Sequence, residues 1–275
     1  MNVLFTNIKE LVQIREITVD FLSGKEMNTL PTIKNAFLLV ENGLISNFGL
    51  MENCPKTKLK IIDATGKILL PSWCDSHTHL VYAGNREDEF VDRINGLSYK
   101  EISDNGGGIL NSAKKLQETS ETVLYNQSKV RLEEIIRLGT GAVEIKSGYG
   151  LTKSAELKML RVIKKLKDKY PIEIKATFLG AHAIPFEYKN NKNGYLEILI
   201  ENILPIIQKE NLADFIDVFC EKGYFSVADT KKILEAGLKQ GLVGKIHVNQ
   251  FTAIGGIQAG VEKDVLSVDH LEKMR

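Results

Sequence analysis

The chain contains five histidines, and each stands at or near the end of a short apolar run. Two of them, His77 and His79, form a closely spaced pair, and the others are His182, His247 and His270. Because side chains alternate faces along a strand, residues 77 and 79 of a strand point their imidazoles to the same side. Two imidazoles that converge on one point are suitable ligands for a divalent metal ion.

His247 ends the apolar run VGKI and is a candidate for a third nitrogen ligand. Three histidine ligands leave a position open to water, which is the arrangement of a catalytic rather than a structural site. A metal ion there lowers the pKa of water toward about 7 and supplies hydroxide near neutral pH. The alternative for each histidine is an ordinary buried ring that hydrogen-bonds to backbone.

Three further side chains are candidates for acid–base or binding roles. His270 follows Asp269 at the end of a predicted strand, where it can act as a general base or stabilise an oxyanion, or simply support the ligands. Arg86 can clamp a carboxylate, although surface pairing with Glu87 or Glu89 is the ordinary interpretation. Tyr149 offers a hydroxyl between two glycines, and packing is its alternative role.

The elements that must position these residues alternate between strand and helix from about residue 70 onward. Strands are predicted at 72–79, 141–146, 172–181, 214–219, 243–248 and 265–269, and helices at 119–138, 154–169, 192–210, 226–240 and 254–262. Leu157, Leu160, Ile163 and Leu166 give the second helix an apolar face, and Ser154 is a candidate cap for its start. Six βα units favour a parallel sheet that closes into a barrel over a doubly wound open sheet, because polar residues recur at the carboxyl ends of the strands.

The predicted domains are a small β-rich module over residues 1–65 and a barrel over residues 66–275. In the module, Asn42-Gly43 between two apolar runs predicts a hairpin. The barrel is short, because a complete (β/α)8 barrel has eight strands and six are recognisable here. Six strands leave two open edges, which proteins normally cover, so the chain is expected to be a fragment or to be completed by something else.

Composition excludes several classes of function. The 36 basic and 35 acidic residues give a net charge of +1, which does not favour nucleic acid or membrane surfaces. The first residues, MNVLFTNIKE, lack the apolar core of a signal peptide, and the three cysteines have no close spacing. We therefore expect a cytoplasmic protein without a disulfide framework.

The ordered motifs DSHTHLVYAGNREDEF, NGGGI, VEIKSGYGL, TFLGAHAIP, DVFCEKGYFS, HVNQFTAIGG and SVDHLE make the chain resemble the imidazolonepropionase family. This is the family of the amidohydrolase superfamily that acts in histidine degradation. The resemblance begins near residue 36 and covers nearly all of the remaining chain.

The resemblance implies a (β/α)8 barrel beside a small β-sandwich, and hydrolysis of the ring amide of 4-imidazolone-5-propanoate to N-formimidoyl-L-glutamate. It implies one zinc or iron ion, a small-molecule substrate and a homodimer. The implied metal ligands are His77, His79 and His247; the implied substrate contacts are Arg86, Tyr149, His182 and Gln250; and the implied catalytic residues are His270, beside the attacking water, and Gln250. His182 is expected to donate a hydrogen bond to the ring carbonyl.

Two departures from the family pattern stand out. Some members carry Glu where this chain has Gln250, and because a neutral amide cannot act as a base, proton transfer is expected to depend on His270. The family's fourth metal ligand is an Asp in an SDFNPG-like stretch, and the chain ends at Arg275 before such a stretch. Asp269 does not replace it by motif. We therefore expect the 275-residue chain to be weakly active or inactive.

Three alternatives to this function remain open. One is a cyclic amidohydrolase of the hydantoinase type, although the fourth barrel strand ends in Cys220-Glu221 rather than in the bridging lysine of a two-metal site. A deaminase on the same scaffold is the second. The third is a non-catalytic remnant that binds metal or a partner chain. Metal analysis together with a turnover assay separates them.

Overall fold

The computed structural model describes residues 1–15, 19, 21–97, 101 and 107–274, so the beginning of the NGGGI motif lies outside the described residues. The chain divides into two compact units, Met1–Ser72 and Trp73–Arg275. That the first unit is part of a β-sandwich domain stays a prediction. Among the described residues, no helix is both long enough and apolar enough to cross a membrane.

The first unit is a five-stranded sheet. Its strands are β1 (Val3–Val12), β2 (Thr32–Glu41), β3 (Leu44–Leu50), β4 (Lys60–Asp63) and β5 (Ile68–Leu69), in the order β3-β2-β1-β4 with β5 also on β1. Short 3₁₀ turns lie at Gly24–Asn28 and Met51–Asn53. The predicted hairpin joins β2 to β3, and Asn42 and Gly43 have φ of 54° and 81°. Two positive φ values at a two-residue turn match the right-handed twist of the strands, which explains the Asn-Gly sequence.

The second unit contains a six-stranded parallel sheet whose strands follow one another in chain order. They are β6 (Trp73–Thr78), β7 (Thr140–Lys146), β8 (Glu173–Ala181), β9 (Phe215–Cys220), β10 (Val243–Val248) and β11 (Ser267–His270). The sheet curls so far that its two edge strands come into contact: His77 Nδ1 on β6 lies 2.9 Å from Asp269 Oδ2 on β11. The six described strands therefore form the incomplete barrel that the sequence predicts.

The helices of the second unit are α1 (Glu87–Ile94), α2 (Gly108–Glu118), α3 (Glu121–Arg137), α4 (Lys153–Lys169), α5 (Lys192–Glu197), α6 (Leu204–Glu210), α7 (Val227–Lys239) and α8 (Gly256–Glu262). A π-helical turn, Ile198–Ile203, joins α5 to α6, and a 3₁₀ turn lies at Phe186–Tyr188. The sequence did not predict α1 and α2. The proposed cap Ser154 is wrong, because the Thr152 side chain accepts from the Ala155 N–H and α4 begins earlier.

The core of the second unit lies between its helices and the outer face of the sheet. The apolar face of α4 is buried as predicted, with Leu160, Ile163 and Leu166 inaccessible to solvent and Leu157 4% exposed. Burying a Leu or Ile side chain contributes about 1.5–3 kcal/mol. These contacts fix the helix against the sheet, and the inner face of the sheet is left to carry polar groups.

Candidate active site

All eight predicted site residues line one cavity of about 460 Å³ at the carboxyl ends of the strands. They are His77, His79, Arg86, Tyr149, His182, His247, Gln250 and His270, and aromatic side chains including Phe219, Tyr224 and Phe251 complete the wall. The carboxyl ends of the strands are where barrel enzymes place their active sites. The roles of these residues stay predictions, but the structure brings all of them to one place.

The three predicted metal ligands form the floor of the cavity. His77, His79 and His247 each offer a ring nitrogen, and these nitrogens lie within 4.8 Å of one another. Within the described part of the chain, His79 Nδ1 and both ring nitrogens of His247 are buried without a hydrogen-bond partner. Leaving a buried polar atom unpaired costs about 1–3 kcal/mol. A metal ion satisfies such nitrogens, so the donor set fits a divalent cation.

Burial favours the neutral form of two of these rings, those of His79 and His247. It lowers the pKa of His79 well below its ordinary value, and the neighbouring His182 and His247 lower it further. Burial also lowers the pKa of His247, although Asp217 opposes the shift. Because a histidine must be neutral to bind a metal, His79 and His247 are held in the form that can bind one.

Beneath the histidines lies a network of charged, mostly buried side chains from four strands. The Lys146 ammonium lies 2.7 Å from Glu144 Oε1, 2.8 Å from Asp217 Oδ2 and 3.3 Å from Asp269 Oδ2. Lys245 lies 2.5 Å from the other oxygen of Glu144. Burial acts to lower the pKa of Lys146, but the carboxylates of Asp217 and Glu144 prevail and the pKa is raised. The lysine therefore stays charged and is satisfied by its neighbours.

Two carboxylates of this network contact two of the predicted metal ligands. Asp269 Oδ2 lies 2.9 Å from His77 Nδ1, and Asp217 Oδ2 lies 3.0 Å from His247 Nδ1 but out of line for a hydrogen bond. Burial acts to raise the pKa of Asp217, yet His247 and Lys146 hold it below its ordinary range. Carboxylates in this position orient a ligating ring. Asp269, set aside on motif grounds, thus reaches the centre of the site.

His270 stands beside the ligand cluster. Its ring centroid is 5.2 Å from that of His77 and 5.0 Å from that of His247. Its Nδ1 lies 3.2 Å from Glu272 Oε1. The ring is therefore close enough to exchange a proton with a water molecule held at the histidine cluster.

Arg86 also lines the cavity. Its Nε donates to Ser112 Oγ at 2.9 Å, and the nearest Glu89 oxygen is 3.9 Å away. The guanidinium lies 5.8 Å from the centroid of the Tyr149 ring. The ordinary alternative, pairing with Glu89, is thus only a long contact, and the guanidinium also faces the cavity.

Gln250 follows β10 in a turn that Glu221 organises. The Glu221 Oε2 atom accepts from the backbone N–H of Phe251 at 2.9 Å and of Thr252 at 3.1 Å, and the Thr252 hydroxyl donates to Oε1. Burial acts to raise the pKa of Glu221, but these hydrogen bonds lower it overall. The sequence did not assign Glu221 this role.

The buried charges did have a signal in the sequence. Glu144 and Lys146 alternate with apolar residues in β7, as do Lys245 and His247 in β10. A period of two puts such residues on one face of a strand. An apolar strand with charges at alternate positions therefore indicates a polar barrel interior.

Comparison with curated proteins identifies relatives along the entire chain. It is 64% identical over 275 residues to an imidazolonepropionase of Christiangramia forsetii, covering 100% of this chain and 67% of that protein. It is 41% identical over 274 residues to the imidazolonepropionase of Clostridium tetani, covering 98% and 65%. This chain belongs to the imidazolonepropionase family. It spans about two thirds of the length of these relatives, and no protein-family model matches it.

Solved structures agree with the fold expected for the imidazolonepropionase family. A 5-methylcytosine deaminase from Klebsiella pneumoniae matches with a TM-score of 0.61 and 12% identity, covering 94% of this chain and 55% of that one. A guanine deaminase from C. acetobutylicum matches with 0.59 and 16%, covering 98% and 62%. An amidohydrolase from a Sargasso Sea environmental sample gives 0.58 and 14%, covering 99% and 59%. At these identities the matches support the fold alone.

Proposed function

We propose that this chain carries the site for metal-dependent hydrolysis of 4-imidazolone-5-propanoate to N-formimidoyl-L-glutamate, as its family name implies. The observation that supports this most is the buried, unpaired nitrogens of His79 and His247 beside His77, at the floor of a cavity with Arg86 in its wall. Water adds to the ring carbonyl, the ring C–N bond breaks, and a proton passes to the leaving nitrogen.

His77, His79 and His247 would hold one divalent ion. When bound, such an ion polarises a carbonyl and makes hydroxide available near neutral pH. Imidazole donors suit both zinc and iron, so we keep both as candidates. Asp217 and Asp269 orient the rings of His247 and His77 from below.

The remaining residues have separate roles in this proposal. His270 accepts a proton from the attacking water and returns it to the leaving nitrogen. The Arg86 guanidinium binds the propanoate carboxylate, for which its fork of N–H donors is suited. Tyr149, His182 and Gln250 line the space between these two ends and orient the ring. Action in the cytoplasm as a homodimer stays a prediction.

The test is a turnover assay on the purified 275-residue chain. The chain is stripped of metal, reloaded with Zn²⁺ or Fe²⁺ and supplied with 4-imidazolone-5-propanoate. We expect N-formimidoyl-L-glutamate to form at most slowly and only with metal, in keeping with the weak activity expected of this chain, and to be lost in His247→Asn but not in Cys74→Ser, a change at an exposed cysteine. Metal binding without turnover would favour the non-catalytic alternative.

A further inference from the structure

The loop after β7, residues 147–151, is held by one carboxylate. Glu156, fully buried in the first turn of α4, accepts from the backbone N–H of Gly148 at 3.1 Å, Gly150 at 2.7 Å and Leu151 at 2.9 Å. Three backbone donors converge on this side chain within a loop that carries Tyr149 into the cavity. The carboxylate therefore fixes the course of the loop.

Two glycines let the loop pack this closely. A Cβ on Gly150 would lie 2.4 Å from the backbone nitrogen of Glu156, which is closer than real Cβ contacts. Gly148 has φ of +105°, and a Cβ there would lie 2.9 Å from His182 Nδ1. The loop thus has little freedom to adopt another path, and it lies directly against the His182 ring.

The Gly148 carbonyl determines which nitrogen of His182 carries the proton. His182 Nδ1 lies 3.2 Å from this oxygen, and because a carbonyl only accepts, Nδ1 must be the donor. A neutral imidazole has one N–H, so Nε2 of the same ring is an acceptor.

The position of His182 makes the acceptor at its Nε2 important for substrate binding. Its ring lies 5.1 Å from that of the proposed ligand His79, nearly parallel at 13°, and 5.5 Å from the Tyr149 ring. The residue lines the cavity in which the substrate ring must lie. A neutral His182 with Nδ1 engaged has only an acceptor left to offer.

We infer that Glu156 is a positioning residue. By holding the loop, it keeps the Gly148 carbonyl against Nδ1 of His182 and so leaves His182 as a hydrogen-bond acceptor toward the cavity. The site then selects a substrate ring that presents an N–H. This inference rests on the proposed function, and it names the part of the cyclic amide that His182 recognises. It reverses the direction of the hydrogen bond expected from the sequence, in which His182 donates to the ring carbonyl. The cavity would then exclude rings whose nitrogen at this point carries a methyl group.

The first measurement needs no substrate. In the chain labelled with ring-¹⁵N histidine, long-range ¹H–¹⁵N correlation spectra report the tautomer of each ring, and the signal missing in His182→Gln assigns His182. We expect the Nδ1–H form in the wild-type chain. The Nε2–H form or an imidazolium at pH 7 would overturn the inference.

The role of Glu156 is tested by Glu156→Gln, with Glu134→Gln, at an exposed position of α3, as the matched control. The amide replaces one acceptor oxygen with a donor that faces backbone N–H groups, so we expect the His182 signal to shift to a tautomer mixture. The control should leave it unchanged. A Glu156→Gln chain that folds and keeps the pure Nδ1–H form would overturn the positioning role.

If this variant does not fold, the wild-type tautomer still decides whether His182 is a donor or an acceptor toward the cavity. Ser147→Ala, which removes another hydrogen bond to Glu156, then tests the role of the loop.

Binding of a stable cyclic probe, 5-hydantoinpropanoate, gives the second readout. Losing one well-placed hydrogen bond should weaken the probe about 10-fold in Glu156→Gln, and ring N-methylation should weaken it similarly in the wild type. Zn²⁺ affinity should not change, because Glu156 does not contact the ligand cluster. If both monomethyl probes bind as well as the parent, the inference fails. Absence of imidazolone turnover with the expected tautomer would instead count against the proposed function alone.

Discussion

The two units both contain a sheet, but their interiors differ in kind. The buried side chains of the first unit that the structure describes are apolar, among them Leu4, Ile8 and Phe37. In the second unit, the interior of the sheet buries Glu144, Lys146, Asp217 and Lys245, each less than 5% exposed. An apolar interior needs only close packing, whereas a charged one is tolerated only where its groups satisfy one another.

This difference locates function without reference to motifs. Among the described residues, every buried polar or charged side chain belongs to the second unit. Those near the carboxyl ends of its strands surround the histidine cluster or hold the loops beside it, as Glu156 and Glu221 do. Buried charges cost free energy unless paired, so a connected set of them indicates a site that requires it.

The largest effect should come from breaking the charged interior. Lys146→Met removes the cation that Glu144 and Asp217 share and leaves Glu144 with Lys245 alone, and we expect a loss of about 3–5 kcal/mol in the free energy of unfolding. Urea unfolding followed by the fluorescence of Trp73, the single tryptophan and part of the second unit, measures it. Lys9→Met, at an exposed lysine of the first unit, should change the free energy by less than about 0.5 kcal/mol. Equal stability of the two variants would contradict this account of the interior.

Acid should destabilise the second unit before the first. His79, His182 and His247 have folded pKa values below the ordinary value, so the unfolded chain binds protons first. Their contribution is present above the unfolded pKa of about 6.5 and is lost below it, by about 1.4 kcal/mol per pH unit for each ring. The metal-free chain in EDTA should show this between pH 7.5 and 5.5 by the same fluorescence measurement.

The first unit supplies the control for this pH effect, because all five histidines lie at residue 77 or later. Hydrogen exchange of its β1 amides, corrected for the intrinsic pH dependence, should give the same opening free energy at both pH values. A second unit whose stability is flat across the interval would show that its histidines are not buried as neutral rings.

The smallest effect should come from a conservative change in the apolar interior. Ile8→Val removes one buried methylene from the first unit and should cost about 0.5–1.5 kcal/mol. Hydrogen exchange of β1 amides measures the loss, and Trp73 fluorescence should report little change. A loss as large as that of Lys146→Met would remove the contrast between the two interiors.

The sequence predicted the elements where periodicity was strong. The six barrel strands lie close to their expected positions, because apolar runs between helices are distinctive. Helices α1 and α2 were missed. Phe90, Val91 and Ile94 of α1 share one face, but the helix has only 8 residues, too few for the spacing to repeat. Thr152 rather than Ser154 caps α4, because two hydroxyl residues two positions apart compete and only the structure shows which accepts from the helix.

The sequence predicted which histidines lie together, but not the carboxylates and backbone groups that contact them. A closely spaced histidine pair is modest evidence by itself, and its place at the end of an apolar strand strengthens it, whereas Asp and Glu occur throughout any surface. The contact of His77 with Asp269 joins residues 192 positions apart, so it depends on the curvature of the whole sheet. The polarity of His182 depends on a backbone carbonyl, that of Gly148, which no residue type reveals.

The most direct test of the central claim, that the polar interior is built around a metal ion, is a calorimetric titration of the metal-free chain with Zn²⁺. We predict one ion per chain, bound by the wild type and by Cys74→Ser but not by His79→Ala. Binding of the same stoichiometry and affinity in His79→Ala, or no binding in the wild type, would contradict the account.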